Sequence, residues 1–299
     1  MATSPSFGVL VLPNTEWPEI LQKACHSEEM GLDLLAMADH FVDCSEPTRL
    51  WHEGWTVLTA IAMATSKIRI ATYVTQIPLR HPAMLARQAL TVDHISNGRL
   101  DIGLGTGIDF DPSHNMMGLA KWEPKERVAR FKEYTRIVDR LLTNEVSSFD
   151  GEYYTINDAM VKPRPVQLPR PPIVIGALGP VMLRFAAEIA DVWNTLSFAD
   201  SFEKQLVDIR GKVAVLDEAC AKIGRGPASL RRSYLMLDPE ARKSGGGFSY
   251  YESTGAFEDM AGRIMEAGFS ELCLYYPVLK EQISMFERIA QDVLPKLRC

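Results

Sequence analysis

The chain has no CxxC pair and no His/Cys cluster; its five cysteines stand singly at 25, 44, 220, 273 and 299. That spacing excludes a zinc ribbon and a thiol-redox motif, so no metal is expected, and scattered thiols fit a reduced, cytoplasmic setting. No stretch approaches the roughly 20 unbroken apolar residues of a membrane-spanning helix. The opening MATSPSFGVLVLPN lacks a basic start and Pro13 interrupts its apolar run, so a secretory signal is not expected. Excess basic charge is also missing: 32 Lys and Arg stand against 38 Asp and Glu, a net charge of −6. Neither a nucleic-acid partner nor an anionic membrane surface fits that balance. Repeats, low-complexity tracts and interdomain linkers are absent as well, which predicts one domain over residues 1–299.

What the chain does contain is alternation. Short apolar, β-branched runs fall at 7–13, 34–39, 68–74, 99–105, 173–178, 191–197, 230–237 and 271–277. Helical patterns lie between them, near 18–30, 55–65, 82–96, 123–142, 180–190, 201–222, 254–267 and 280–294. Near-continuous apolar strands separated by helices imply a parallel sheet covered on both faces. Eight such units in series predict an α/β fold of the (β/α)8 TIM-barrel type. Pro82 and Pro180 sit where a first helical turn accepts proline, and Asn97-Gly98 closes the third helix.

Three segments exceed ordinary connections: 106–122, 144–172 and 238–253. The first and third follow strands, on the face where barrel sites are built. Gly245, Gly246 and Gly247 suggest mobility in the third. The second is expected to begin with a small hairpin, FDGEYYTI, before a proline-rich extended run.

Polar residues at the carboxyl ends of strands are the site candidates. The second strand ends in Asp39-His40, and a histidine there can give or take a proton beside a bound ring. The alternative is a histidine that only satisfies a carbonyl, oriented by Asp39. The third strand ends in Tyr73-Val74-Thr75-Gln76, which ordinary strand packing explains nearly as well. The fourth ends in GLGTG, where glycine lets backbone approach a flat ligand; GxGxG spacing is not the dinucleotide fingerprint. The fifth runs through Gly176, Ala177, Leu178 and Gly179 into a helix N-terminus, which serves equally as a phosphate site or a tight turn. Asp93-His94 reads as a helix-end packing pair, His114 could reach substrate, and Tyr275-Tyr276 reads as packing or ring stacking. Met116, Met117, Trp122, Phe248 and Tyr250 suggest an apolar pocket wall.

No Lys stands at a strand end, against a Schiff-base aldolase; no HxH or carboxylate cluster, against a metal hydrolase; no GxSxG, against an esterase. A barrel holding a flat, phosphate-bearing cofactor against one histidine remains.

These residues resemble the luciferase-like monooxygenase superfamily of flavin and deazaflavin oxidoreductases. The marks are MGLDLLAMADHF (30–41), HPAMLARQALTVDHISNGRLDIGLGTG (81–107), FDGEYYTI (149–156) and PPIVIGALGPVMLRFAAEIAD (171–191). The likeness weakens beyond about residue 200. It implies a (β/α)8 barrel, a homodimer, and coenzyme F420 or FMN at the carboxyl ends of the strands. DHF at 39–41 is closer to the F420 branch. The resemblance implies Asp39 and His40 beside the ring, with His40 as the catalytic proton carrier. It sets Tyr73-Val74 at a bulge with a non-prolyl cis peptide, Gly105, Thr106 and Gly107 at the cofactor, and Ala177, Leu178 and Gly179 at its phosphate. The F420-dependent glucose-6-phosphate dehydrogenases carry a Trp four residues after the His and a Glu after GTG. Cys44 and Ile108 stand here, so sugar-phosphate oxidation is not expected; Asp109 or Asp111 could supply a displaced carboxylate. The expected activity is hydride transfer between F420 and a small organic substrate. An FMNH2-dependent monooxygenase with a separate reductase and a non-catalytic cofactor-binding barrel are the alternatives.

Overall fold

Continuity of apolar side chains builds the strands where the sequence places them. The computed structural model describes residues 4–108, 110–226, 229–237 and 248–298. Asp109 and the glycines at 245–247 lie outside the described residues. The strands run β1 (Ser6–Val11), β2 (Leu34–Asp39), β3 (Arg69–Gln76), β4 (Leu100–Gly105), β5 (Ser147–Asp150), β6 (Thr155–Ala159), β7 (Ile173–Gly176), β8 (Val192–Thr195), β9 (Arg231–Met236) and β10 (Glu271–Tyr275). Eight of them close a barrel in the order β1-β10-β9-β8-β7-β4-β3-β2, the predicted TIM barrel; β5 and β6 pair antiparallel as the predicted hairpin. Every residue of β2, β4 and β10 is buried, as strands covered on both faces require.

The helices are α1 (Trp17–Glu29), α2 (Gly54–Ala64), α3 (Pro82–Ile95), α4 (Pro112–Met116), α5 (Pro124–Thr143), α6 (Pro180–Ile189), α7 (Phe202–Lys222), α8 (Thr254–Glu266), α9 (Ile283–Arg288) and α10 (Leu294–Leu297). Two departures from the sequence reading stand out. The segment 106–122 contains a helix, α4, announced by Asp111 at its N-cap and Pro112 at the first position. The last helical pattern breaks into α9, a π turn at Ile289–Val293 and α10, with Pro295 unable to donate a helical N–H. Among the described residues no helix is long and apolar enough to cross a membrane.

The chain divides into two compact units. One comprises Met1–Val11, Gln22–Ala36 and Ala177–Cys299. There Phe7 stands opposite Leu272, and Leu272 opposite Tyr234, in parallel register. Phe269 stacks on Trp193 and Tyr234 at 5.4 and 5.5 Å between centroids. Gln205 Oε1 accepts the hydroxyls of Tyr234 (2.8 Å) and Tyr250 (2.7 Å), which makes Tyr250 a core residue rather than the pocket wall expected. Tyr275 and Tyr276 are buried in packing too, the latter against Phe286 at 5.3 Å.

The other unit comprises Leu12–Leu21 and Met37–Gly176. Its central feature is a bulge: β3 fits one extra residue between Ala71 and Thr75 against β4. The Tyr73–Val74 peptide within it is cis, as the resemblance implied. The displaced Val74 side chain occupies space that glycines leave open. A Cβ on Gly105 would meet Val74 Cγ2 at 2.4 Å, one on Gly176 would meet Cγ1 at 3.3 Å, and one on Gly103 would strike the Thr72 carbonyl oxygen at 1.7 Å. The GxG spacing of β4 is thus required by the neighbouring strand before any ligand is considered.

The NGR segment has a similar internal reason. Asn97 and Gly98 take positive φ, 54° and 79°. Arg99 then donates to the carbonyls of Ala62, Thr65 and Ile68 at 2.7, 3.0 and 2.8 Å, closing the end of α2 over β3. Asp93, fully buried, accepts from the Val166 and Gln167 amides, and His94 bonds the Arg164 carbonyl at 2.7 Å. The pair anchors the proline-rich run.

Replacing Gly103 by Ala should destabilise the protein by at least the ~1–3 kcal/mol typical of core overpacking, because backbone rather than a pliable side chain opposes the new methyl. Gly211→Ala, in α7 with nothing within 4 Å of the added carbon, should stabilise by about 0.5–1 kcal/mol. Urea unfolding of both variants measures the contrast.

Candidate active site

His40 follows the last residue of β2, so the strand delivers its backbone to the barrel's carboxyl face. Its side chain is held from the opposite direction. Nδ1 donates to Asp111 Oδ2 at 2.6 Å, and Gln76 Nε2 donates to the same oxygen at 2.6 Å, with 2.7 Å between the two nitrogens. The other carboxylate oxygen of Asp111 caps α4 by accepting from the Ser113 amide at 2.8 Å. Burial opposes charge on Asp111, but hydrogen bonds from His40, Ser113 and Gln76 outweigh it and hold the carboxyl well below its usual 3.8. A charged Asp111 requires the proton on Nδ1, which leaves Nε2 as the acceptor. Among the described residues none bonds Nε2.

A third wall comes from the loop after β2. Trp51 donates its indole N–H to the His40 carbonyl at 2.9 Å and sets its ring edge-on to the imidazole, 5.9 Å away at 86°. No sequence motif announces Trp51, and Gln76 has only its place at the end of β3 to mark it.

Asp39 plays a different part from the one expected. It is 1 % exposed, and its carboxylate is paired with Arg80, which also reaches Glu53 at 3.1 Å. Asp39 therefore neither orients His40 nor presents its side chain to a ligand. Gly54 allows this packing, since a Cβ there would stand 3.0 Å from the Ala38 carbonyl and 3.3 Å from Asp39 Oδ1. Burial is the largest influence on Arg80 and would favour its neutral form, yet bonding to Asp39 raises its pKa further. Tyr134 is buried close by, its phenol pushed up by that burial.

The remaining predicted positions fall as follows. Tyr73 is buried and Val74 half-buried at the bulge. Gly105 ends β4, Thr106 turns its hydroxyl onto the Gly107 carbonyl (3.1 Å), and Gly107 takes φ +83° with Gln76 Oε1 3.0 Å and His114 Cε1 3.1 Å from a notional Cβ. His114 thus packs beneath the glycine turn. In the first unit, the Ala177 amide donates to the Asn194 carbonyl at 3.0 Å and its carbonyl accepts from Trp193, so Ala177 has no amide to offer a phosphate. Gly179 caps α6 with no side-chain bond, leaving that helix N-terminus open, and Leu178 beside it is exposed. Among the described residues no group of three or more His, Cys, Asp or Glu side chains could hold a metal ion.

Residues 2–236 match the profile of a family described as luciferase-like monooxygenase. The chain belongs to that family. Among curated luciferase-like relatives, an F420-dependent glucose-6-phosphate dehydrogenase of Kineococcus radiotolerans is 34% identical over 174 residues, 56% of this chain and 49% of the relative. An FMNH2-dependent dimethylsulfone monooxygenase of Pseudomonas putida is 28% identical over 237 residues, 75% of this chain and 64% of the relative. The chain spans about half the length of the first of these. The coenzyme F420-dependent tetrahydromethanopterin reductase of Methanopyrus kandleri superposes over 99% of this chain and 100% of its own with a TM-score of 0.82 at 21% identity, a likeness of fold.

Two outcomes follow for this luciferase-like site. Arg80→Met leaves Asp39 buried and unpaired and should cost about 3–5 kcal/mol, with Arg80→Met/Asp39→Asn recovering much of it, in chemical denaturation. The lowered value of Asp111 contributes stability that is complete above 3.8 and is lost as pH falls below it. The stability gap between wild type and Asp111→Asn should therefore hold from about pH 5 upward and shrink by about pH 3.

Proposed function

We propose that the chain is an F420-dependent oxidoreductase in which His40 moves the proton that accompanies hydride transfer to or from a small organic substrate. The observation that carries this reading is the His40–Asp111 bond with Nε2 open at the end of β2. F420-dependent relatives at 34%, 33% and 35% identity support the choice of cofactor.

Each unit by itself carries a feature that suits such a cofactor. In the second unit the bulge presents Val74 and the backbone of residues 73–75 beside the strand that ends at Gly105. In the first, the open N-terminus of α6 offers the backbone N–H groups of Leu178, Gly179 and Val181, of the kind that bind phosphate, while Pro180 has none. Bound F420 would supply the hydride donor or acceptor. The protein's share is the proton. Nε2 accepts it when substrate loses hydride and returns it in the reverse direction. Asp111 stabilises the resulting imidazolium, while Trp51 and Gln76 fix the position of the ring. The absence of Trp at 44 and Glu at 108 is answered in part by Trp51 and Asp111, which reach the same histidine from other places in the chain.

The FMN reading rests on the dimethylsulfone monooxygenase relative and would require a separate reductase to supply FMNH2. A homodimer in the cytoplasm completes the proposal, with Cys25, Cys44, Cys220 and Cys273 in no disulfide among the described residues.

F420 should quench on titration with the purified protein, and His40→Ala should retain that binding while turnover falls at least ~10²-fold. Micromolar FMN binding without an F420 response would overturn the cofactor assignment, and undiminished turnover in His40→Ala would remove its role.

A further inference from the structure

The ground around His40 does not suit a phosphorylated or carboxylated substrate. Among the described residues, segments 40–53 and 106–122 contain four acidic residues, Asp43, Glu46, Glu53 and Asp111, against two basic ones, Arg49 and Lys121. That arginine is spent on Asp43 and Glu46. Arg80, just beyond the end of β3, is paired with Asp39 and Glu53. An anion approaching Nε2 would find both arginines, Arg49 and Arg80, already paired with carboxylates.

Apolar surface lies there instead. Phe41 is 52% exposed, Phe110 68%, Met116 54% and Met117 38%. They are not scattered. Phe41 directly follows His40, Phe110 directly precedes Asp111, and the two methionines end the helix that Asp111 caps. The Val42 amide donates to Ser113 Oγ at 3.4 Å, which joins the Phe41 loop to that helix. Exposed apolar side chains carried on the two segments that hold a polar catalytic group suit a ligand wall, and methionine adapts such a wall to varied shapes.

We infer that this site selects an uncharged, predominantly apolar substrate, with Phe41, Phe110, Met116 and Met117 as the specificity-determining wall. The inference deepens the function proposed for His40 and rests on it. It also separates this chain from relatives that act on glucose 6-phosphate by name.

Ligand-observed NMR with 2-butanone, 2-hexanone, 2-octanone and glucose 6-phosphate tests it without turnover. Affinity should rise at least about 3-fold per added methylene, and glucose 6-phosphate should not bind at concentrations that saturate with 2-octanone. Phe110→Ser and Met116→Ser change exposed positions, so the fold is kept, and each should weaken 2-octanone by about 3- to 10-fold. Affinity indifferent to chain length, glucose 6-phosphate binding as tightly as 2-octanone, or unaltered binding in both variants would overturn the substrate class. F420 quenching, measured separately, decides the cofactor: its failure alongside a retained chain-length series would sink F420 and leave the apolar site standing.

Discussion

One carboxylate organises the chemistry of this barrel. Asp111 caps α4 with one oxygen and gathers His40 and Gln76 on the other, so a helix, a strand end and a loop meet at a single buried charge. Each bond it accepts favours the ionised form over the neutral one, and together they overcome the cost of burial. Because the charge is permanent at working pH, the tautomer of His40 is set by the fold rather than by the solvent. Everything proposed about proton movement depends on that.

A second constraint operates between strands. Val74, displaced by the bulge in β3, fits only because Gly103, Gly105 and Gly176 carry no side chains. Glycines that look like a ligand cradle are therefore first a packing solution, and whatever binds beside them meets a surface already shaped by Val74. Arg99 and Asp93 act likewise, holding α2 and the proline-rich run by their carbonyls and amides.

These facts explain which parts could be read from sequence. The eight strands were legible because burial on both faces makes each one nearly continuously apolar, as in LLAMAD of β2. The importance of His40 was legible from its place after a strand. Its partners were less so. Asp111 lies 71 residues away and Gln76 lies 36 away, and neither spacing has a local period. Asp39, adjacent to His40, invited an assignment that alternation along a strand forbids: successive side chains point opposite ways, and Asp39 turns to Arg80. Trp51 had no motif to announce it. The α4 helix did leave a signal, Asp-Pro-Ser, hidden inside what composition suggested was loop.

The placement of Asp111 has a consequence for how such a barrel diversifies. The residue sits in the connection after β4, not in the barrel wall, and that same connection carries Phe110, Met116 and Met117. Recognition and proton handling are thus encoded in one exchangeable stretch of chain, while cofactor geometry is encoded in the strands. Drift in that stretch cannot retune one property without touching the other. A lineage exploring new substrates through this connection would be confined to variants that keep an acid at its helix start, or would have to recruit another carboxylate before letting this one go.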